Sequence, residues 1–225
     1  MIIYKFGGTS VGSADRIKKV ATLISKDKRQ KVVVLSAVSG TTNILVEIGH
    51  LLIKGSKEAA LKLILSLQSE YQSLINDLYV EGENKQLAEK VTQKYFDELA
   101  MWTKIPDFNE VNNKTILTYG ELMSTHFLHF YLNELNIENH LVSAFEFMST
   151  DQDGEPEIQK IGTKLTPLVA DSKTVVTQGF ICKNHLGQTD NLKRGGSDYS
   201  ASIIGAALKA DEIQIWTEID GMLNN

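Results

Sequence analysis

Apolar positions along the chain switch between two periods. Ile2, Ile3, Tyr4 and Phe6 run together and stop at Gly7-Gly8, the pattern of a short buried strand ended by a glycine turn. From Ala14 the spacing becomes helical, with Ile17, Val20, Ala21 and Ile24 on one face. Ser13 is placed as its N-cap, and Asp15 lies in the first turn, where the helix dipole favours an acid. Lys31-Val-Val-Val-Leu-Ser36 is a continuous apolar run, as expected of a strand buried on both faces of a parallel sheet. Ala37-Val-Ser-Gly40 turns it, and Thr41 or Thr42 is placed to cap a helix through Leu45, Ile48, Gly49 and Leu52. Strand, turn and helix repeated twice predict βαβ units and an α/β fold.

The pattern changes at Ser56. Leu61, Ile64, Gln68, Tyr71, Leu74, Ile75 and Leu78 mark one long helix, broken at Glu81-Gly82-Glu83. Leu87, Val91, Tyr95, Leu99 and Trp102 mark another, so residues 56 to 104 read as a helical hairpin inserted between sheet elements. Its outer Lys, Glu and Gln residues read as a solvated face with no chemistry. Asn113 to Asn136 predicts a helix, Ile137 to Val142 a strand and Ala144 to Met148 a further short strand. Asp151-Gln-Asp-Gly154 is a polar turn, and Ile158 to Ala170 a weakly ordered helix. Lys173 to Thr177 is a strand, Cys182 to Leu192 a small hairpin turning at His185-Leu-Gly187, and Tyr199 to Leu208 a helix of small residues. Glu212 to Trp216 is the last strand, followed by a loop from Thr217 to Asn225.

Composition narrows the classes of function. With 225 residues and 42% hydrophobic content, the chain can bury one sizeable core or two lobes sharing a cleft. A net charge of −5 and a pI near 5.6 argue against nucleic acid or an anionic membrane as partner. No segment reads as a signal peptide or a membrane span. The lone Cys182 leaves no internal disulfide and suits a reducing cytoplasm.

Candidate chemistry gathers where parallel strands end. A strand, a glycine turn and a helix N-terminus make an anion site, because free N–H groups point at whatever sits there. Lys5 stands inside the strand before that turn. It reads either as an edge-strand lysine reaching solvent or as a cation reaching a partner in a cleft. Five polar or glycine-rich clusters fall on the same predicted edge: Gly7 to Ser10, Ser36 to Thr42, Gly179-Phe180, Arg194 to Asp198 and Thr217 to Asp220. The first is neither a Walker A loop nor GxGxxG. His126 and His129 share a helix face but lack a third ligand, so they read as packing residues. Cys182 reads as a small buried hydrophobe, and Asp151 and Asp153 as a turn, since a calcium loop's terminal glutamate is missing.

Lys5-Phe-Gly-Gly-Thr-Ser-Val-Gly12 resembles the opening of the aspartokinases, which phosphorylate the side-chain carboxylate of aspartate. The resemblance extends to Leu-Ser-Ala-Val-Ser-Gly-Thr-Thr-Asn43, Gly-Glu-Leu-Met-Ser-Thr125, Arg-Gly-Gly-Ser-Asp198 and Trp-Thr-Glu-Ile-Asp-Gly221, but not to the helical insertion. It implies an amino-acid-kinase fold: a three-layer αβα open, mostly parallel sheet, with the start of a nucleotide lobe at about residues 173 to 225. It implies ATP and Mg²⁺, L-aspartate as substrate, and a homo-oligomer at full length. By residue, it implies Lys5 and Asp198 in catalysis, Asp198 orienting Lys5. It implies Ser36, Thr42, Phe180, Ser197 and Asp198 around the substrate, Glu121 on its α-ammonium and Arg194 clamping a carboxylate. Gly7, Gly8, Thr9, Ser10, Thr217 and Glu218, with Lys5, fall to the nucleotide. A metal ligand is not assigned.

The chemistry suits these residue types. The acceptor carboxylate is already ionised, so the site needs positive charge and N–H donors rather than a base. Other readings are a kinase for another small acid such as acetylglutamate, which a glutamate for a free ammonium disfavours, and a non-catalytic amino-acid sensor, which would not need Lys5. Departures from the family pattern are Glu218 in place of Asp, and Asp190-Asn-Leu-Lys193 in place of Thr-Thr-Leu-Gly. Where the chain stops at Asn224-Asn225 the pattern continues into Asp-Pro-Arg. The resemblance therefore implies an incomplete catalytic domain, without the rest of the nucleotide lobe or the ACT domains, and negligible turnover alone.

Overall fold

The computed structural model describes residues 1–192 and 195–217. In chain order the elements begin with β1 (Ile2–Phe6), α1 (Ala14–Lys26), β2 (Lys31–Leu35) and α2 (Thr41–Ile53). The inserted hairpin follows as α3 (Lys57–Leu78) and α4 (Glu83–Trp102), then α5 (Glu110–Ile116), α6 (Tyr119–Glu134), β3 (His140–Leu141) and α7 (Ala144–Phe147). The chain continues through α8 (Ile158–Val169), β4 (Thr174–Gln178), β5 (Ile181–Lys183), β6 (Thr189–Asn191), α9 (Gly196–Leu208) and β7 (Glu212–Trp216). Five strands form one parallel sheet in the order β3-β4-β2-β1-β7, and β5 and β6 make a separate antiparallel hairpin.

Period-two alternation sorts β1 and β2 between two apolar layers. Ile2, Tyr4, Phe6, Val33 and Leu35 face a core shared with α1, α2, the inserted hairpin and α6. Ile3, Val32, Val34 and Val175 face a second core shared with α7, α8 and α9. The result is the expected three-layer αβα arrangement. Both layers are packed so closely that β1, β2 and β4 are buried from end to end. Ser13 caps α1 as expected, accepting from the N–H of Arg16.

Several local expectations are corrected. The N-cap of α2 is Gly40, in a left-handed conformation with φ of 84°, and neither threonine caps the helix. Thr41 instead pairs its hydroxyl with that of Tyr71, 2.9 Å away on α3, so the inserted hairpin buttresses this turn. The span from Asn113 to Asn136 is two helices, because Thr118 turns its hydroxyl onto the Thr115 carbonyl and α6 starts afresh. Only His140 and Leu141 pair with β4, so the strand expected over 137 to 142 is shorter. Residues 144 to 148 form a helical turn, since Ser143 and Glu146 make a capping box that overrides the apolar strand signal. The helix expected to be weak, α8, runs unbroken from Ile158 to Val169 despite Pro167 in its last turn, anchored by Ile161, Leu165 and Val169.

Gly162 shows how closely α8 lies on α9, which carries part of the site described below. A Cβ at Gly162 would come 2.8 Å from the Ala207 carbonyl oxygen, a backbone atom that cannot step aside. Gly162→Ala gains about 1 kcal/mol of helix propensity but incurs overpacking of about 1–3 kcal/mol. The variant is expected to be less stable by about 1 kcal/mol in urea unfolding, and a stabilised variant would show that the helices part freely.

Candidate active site at the carboxyl ends of the strands

Parallel strands put their carboxyl ends on one edge, and the expected clusters meet there. β1 ends at Phe6, and the chain turns through Gly7 and Gly8 into a 3-10 turn, Thr9–Val11. β1 lies between β2 and β7, so Lys5 is not on an edge strand. Its side chain is 8% exposed, and Nζ lies 2.7 Å from Asp198 Oδ1. The approach is a charge contact rather than an aligned hydrogen bond, so the ammonium keeps donors for an incoming anion. Gly7 makes room for it: a Cβ there would sit 3.3 Å from Nζ.

One cavity of about 290 Å³ is lined by Lys5, Ser36, Thr42, Glu121, Phe180, Ser197 and Asp198, together with Gly195 and Gly196. Ser36, Thr42, Glu121, Phe180, Ser197 and Asp198 are residues expected around the amino acid, and Lys5, expected in catalysis and at the nucleotide, joins them. They come together from β1, the end of β2, α2, α6, the turn after β4 and the start of α9. A second cavity of about 400 Å³ is lined by Gly7, Gly8, Thr9, Thr217 and the turn from Ser36 to Gly40, and it shares Ser36 and Thr42 with the first. Ser10 is placed differently. It is fully buried, with its N–H on the Gly7 carbonyl and its hydroxyl on the Trp216 carbonyl, so it braces the turn from behind. The Gly7 N–H is likewise taken, by the Trp216 carbonyl at 2.9 Å. Thr9 donates its hydroxyl to the Thr217 carbonyl. The expected roles of Arg194 and Glu218 lie outside the described residues.

Glu121 is the anomaly of the site. It is 3% exposed, and among the described residues its Oε2 has no hydrogen-bond partner. Burial pushes its carboxyl up to about 8, against a lesser pull from the Ala37 and Glu121 backbone N–H groups. The backbone around it is firmly held. Ser124 donates to the Ser36 carbonyl at 2.7 Å, and Thr125 donates to the Glu121 carbonyl at 2.8 Å while accepting from the buried Gln178 amide. A rigid, buried acid with a free oxygen in a cavity fits a cationic ligand group.

Phe180 is a second anomaly, with φ of 65° in the left-handed region that bulky side chains avoid. Strain of this kind costs about 1–3 kcal/mol and collects at ligand sites. Gly179 beside it lets α9 close in, since a Cβ there would lie 2.6 Å from Ser197 Cβ. Sequence reasoning did not assign Ala37, Val38, Ser39 and Gly40 individually, although the turn was singled out as a cluster. Their contribution is backbone, and backbone leaves no residue-type signal.

The histidines and the thiol are accounted for by packing. His126 Nδ1 is 2.6 Å from the Leu122 carbonyl, and His129 Nδ1 is 2.7 Å from Asn139 Oδ1. Burial lowers both imidazoles' pKa values. Cys182 is buried, its thiol pushed up to about 12 by burial and then by Asp190. Asp151 accepts the N–H groups of Asp153 and Glu155, a turn. Among the described residues no three His, Cys, Asp or Glu side chains could hold a metal ion, and no helix is long and apolar enough to cross a membrane.

The sequence signature of the Amino acid kinase family matches residues 1–225, the whole chain. The chain belongs to the amino acid kinase family. Within that family it is 32% identical over 230 residues to lysine-sensitive aspartokinase 3 of Escherichia coli (strain K12), covering 99% of this chain and 50% of the relative. It is 33% identical over 239 residues to the chloroplastic aspartokinase 1 of Arabidopsis thaliana, covering 98% and 40%. Its fold is similar to E. coli aspartokinase III in complex with aspartate and ADP, with a TM-score of 0.80 at 29% identity, covering 98% of this chain and 50% of that one. The same enzyme in complex with lysine and aspartate also gives a TM-score of 0.80, at 28% identity over 96% and 49%. This amino acid kinase chain thus spans about half the length of the relatives it matches.

Proposed function

We propose that this chain is the amino-acid-binding part of an aspartate kinase, and that the protein transfers the γ-phosphoryl group of ATP to the side-chain carboxylate of L-aspartate, giving 4-phospho-L-aspartate. The observation that carries the reading is Glu121 Oε2, buried and without a partner among the described residues, in the same cavity as Lys5 and Asp198. A free α-ammonium supplies the missing partner together with a compensating positive charge, whereas an acetylated amino acid offers only a neutral N–H and leaves the buried carboxylate uncompensated. The relatives named as aspartokinases, one of them in complex with aspartate and ADP, support the same assignment.

In this reading the acceptor carboxylate attacks as it is, with no proton to remove. The difficulty is anion approaching anion, and Lys5 answers it with a positive charge held between the amino-acid cavity and the glycine turn. Asp198 fixes the ammonium's position, and Ser36 and Thr42, common to both cavities, hold the reacting ends together. Arg194 would grip a substrate carboxylate through its planar fork. Mg²⁺ would arrive on the triphosphate, which with water supplies most of its coordination. The lone buried thiol supports work in a reducing compartment such as the cytoplasm.

The test is calorimetric titration followed by an ADP-release assay on the full-length protein. L-Aspartate is expected to bind, N-acetyl-L-glutamate and L-asparagine to bind at least about 10²-fold more weakly, and MgATP turnover to require L-aspartate. Equal affinity for the acetylated acid would remove the ammonium from the argument and sink the assignment.

A further inference from the structure

After β4 the chain turns at Gly179-Phe180. The Ile181 N–H donates to the Gly179 carbonyl at 2.7 Å, closing a three-residue turn centred on Phe180 with its φ of 65°. A γ-turn of this hand is rare and persists only where its surroundings over-determine it. The surroundings here are specific. The Phe180 N–H donates to Ser200 Oγ at 2.8 Å, and the Phe180 carbonyl accepts from the Leu192 N–H at 2.7 Å. Ser200 is fully buried in α9 and donates its own proton to the Gly196 carbonyl at 2.6 Å. One hydroxyl therefore spends its donor on the first turn of α9 and an acceptor on the strained turn.

Ser200 does not line the cavity, but both groups it joins do. The Phe180 ring closes against Gly196, where a Cβ would come 2.7 Å from Phe180 Cδ2. We propose that Ser200 is a positioning residue for the amino-acid cavity: its hydroxyl locks Phe180 to the first turn of α9, so that the aromatic wall and the Ser197–Asp198 end of the helix move as one body. Without the lock, Phe180 relaxes to a negative φ, its ring leaves Gly196 and the cavity loses its shape. This rests on the cavity being the L-aspartate site, and the experiment separates the two.

Ser200→Ala and Ser200→Thr are compared in the full-length protein by calorimetry and by hydrogen exchange of the Phe180 amide. Ser200→Ala is expected to weaken L-aspartate about tenfold, about 1.4 kcal/mol, with MgATP affinity within about twofold. Ser200→Thr keeps the hydroxyl and is expected to bind L-aspartate within about twofold of wild type. The Phe180 amide is expected to be protected in the wild type and the threonine variant, and to exchange fast in the alanine variant. In a Phe180→Gly background the positive φ carries no penalty, so adding Ser200→Ala is expected to change L-aspartate affinity less than about twofold. An equal loss in both backgrounds overturns the proposal. So does unchanged protection of the Phe180 amide, or a fall in Tm with L-aspartate affinity unchanged. A wild-type protein that binds no L-aspartate would defeat the functional reading instead, while hydrogen exchange still decides the lock.

Discussion

Lys5→Ala is expected to reduce the turnover of the full-length protein by at least about 10²-fold, a loss of about 3 kcal/mol in transition-state stabilisation. The side chain places a cation at once in the cavity with Glu121 and Asp198 and over Gly7 in the glycine turn. The fold should survive the change. Lys5 is a buried charge whose desolvation works against stability, and the Asp198 side chain it leaves behind is 48% exposed and can be solvated. The measurement is ADP release beside a thermal melt. A rate within a few-fold of wild type would remove Lys5 from the mechanism, and a collapsed melt would make it a structural cation.

The second large effect concerns Glu121 and pH. Its carboxyl is raised to about 8, so the empty site is neutral at that position through most of the physiological range. An ammonium needs the carboxylate, and binding below pH 8 must expel a proton. The affinity for L-aspartate is therefore expected to rise up to about tenfold per pH unit from pH 6 to 8, then level off, with proton release visible in calorimetry across buffers. Stability of the empty protein runs the other way. The folded state holds this proton more tightly than the unfolded chain, so stability falls as pH rises from about 4.5 to about 8, by at most about 1.4 kcal/mol per unit. Glu121→Gln is expected to abolish both slopes and to weaken L-aspartate about 10²-fold, while succinate, which has no ammonium, changes little. Equal losses for the two ligands would make Glu121 a structural residue.

Part of the candidate site was legible because its signals are residue types that conflict with their surroundings. A lysine inside an apolar strand and glycines in succession each contradict the local pattern and line the candidate site, whereas Glu121 was placed there by the resemblance alone. The α/β class was legible from the apolar runs of Ile2 to Phe6 and Lys31 to Leu35, which need no long-range information. The strand at His140–Leu141 was overdrawn because its length depends on how far β4 runs beside it. The left-handed Gly40 was missed as a cap because two threonines nearby have the better capping chemistry. Phe180 was assigned to the site by resemblance, but its strain and its bond to Ser200 span 20 residues and are set by tertiary packing.

The pairing of β1 with β7 has a consequence for how the protein is made. Ser10, beside the glycine turn, finds the carbonyl of Trp216, 206 positions later in the chain. The hydrogen bonds that bolt the glycine turn to β7 close loops of nearly the same size, and such closures come late because their entropy must be met before they reward the chain. β1 therefore waits, flanked by β2 on one side only, until β7 has been made. Substitutions in β7 should then show less as altered affinity than as slow maturation, with β1 exposed to chaperones and proteases in the interval.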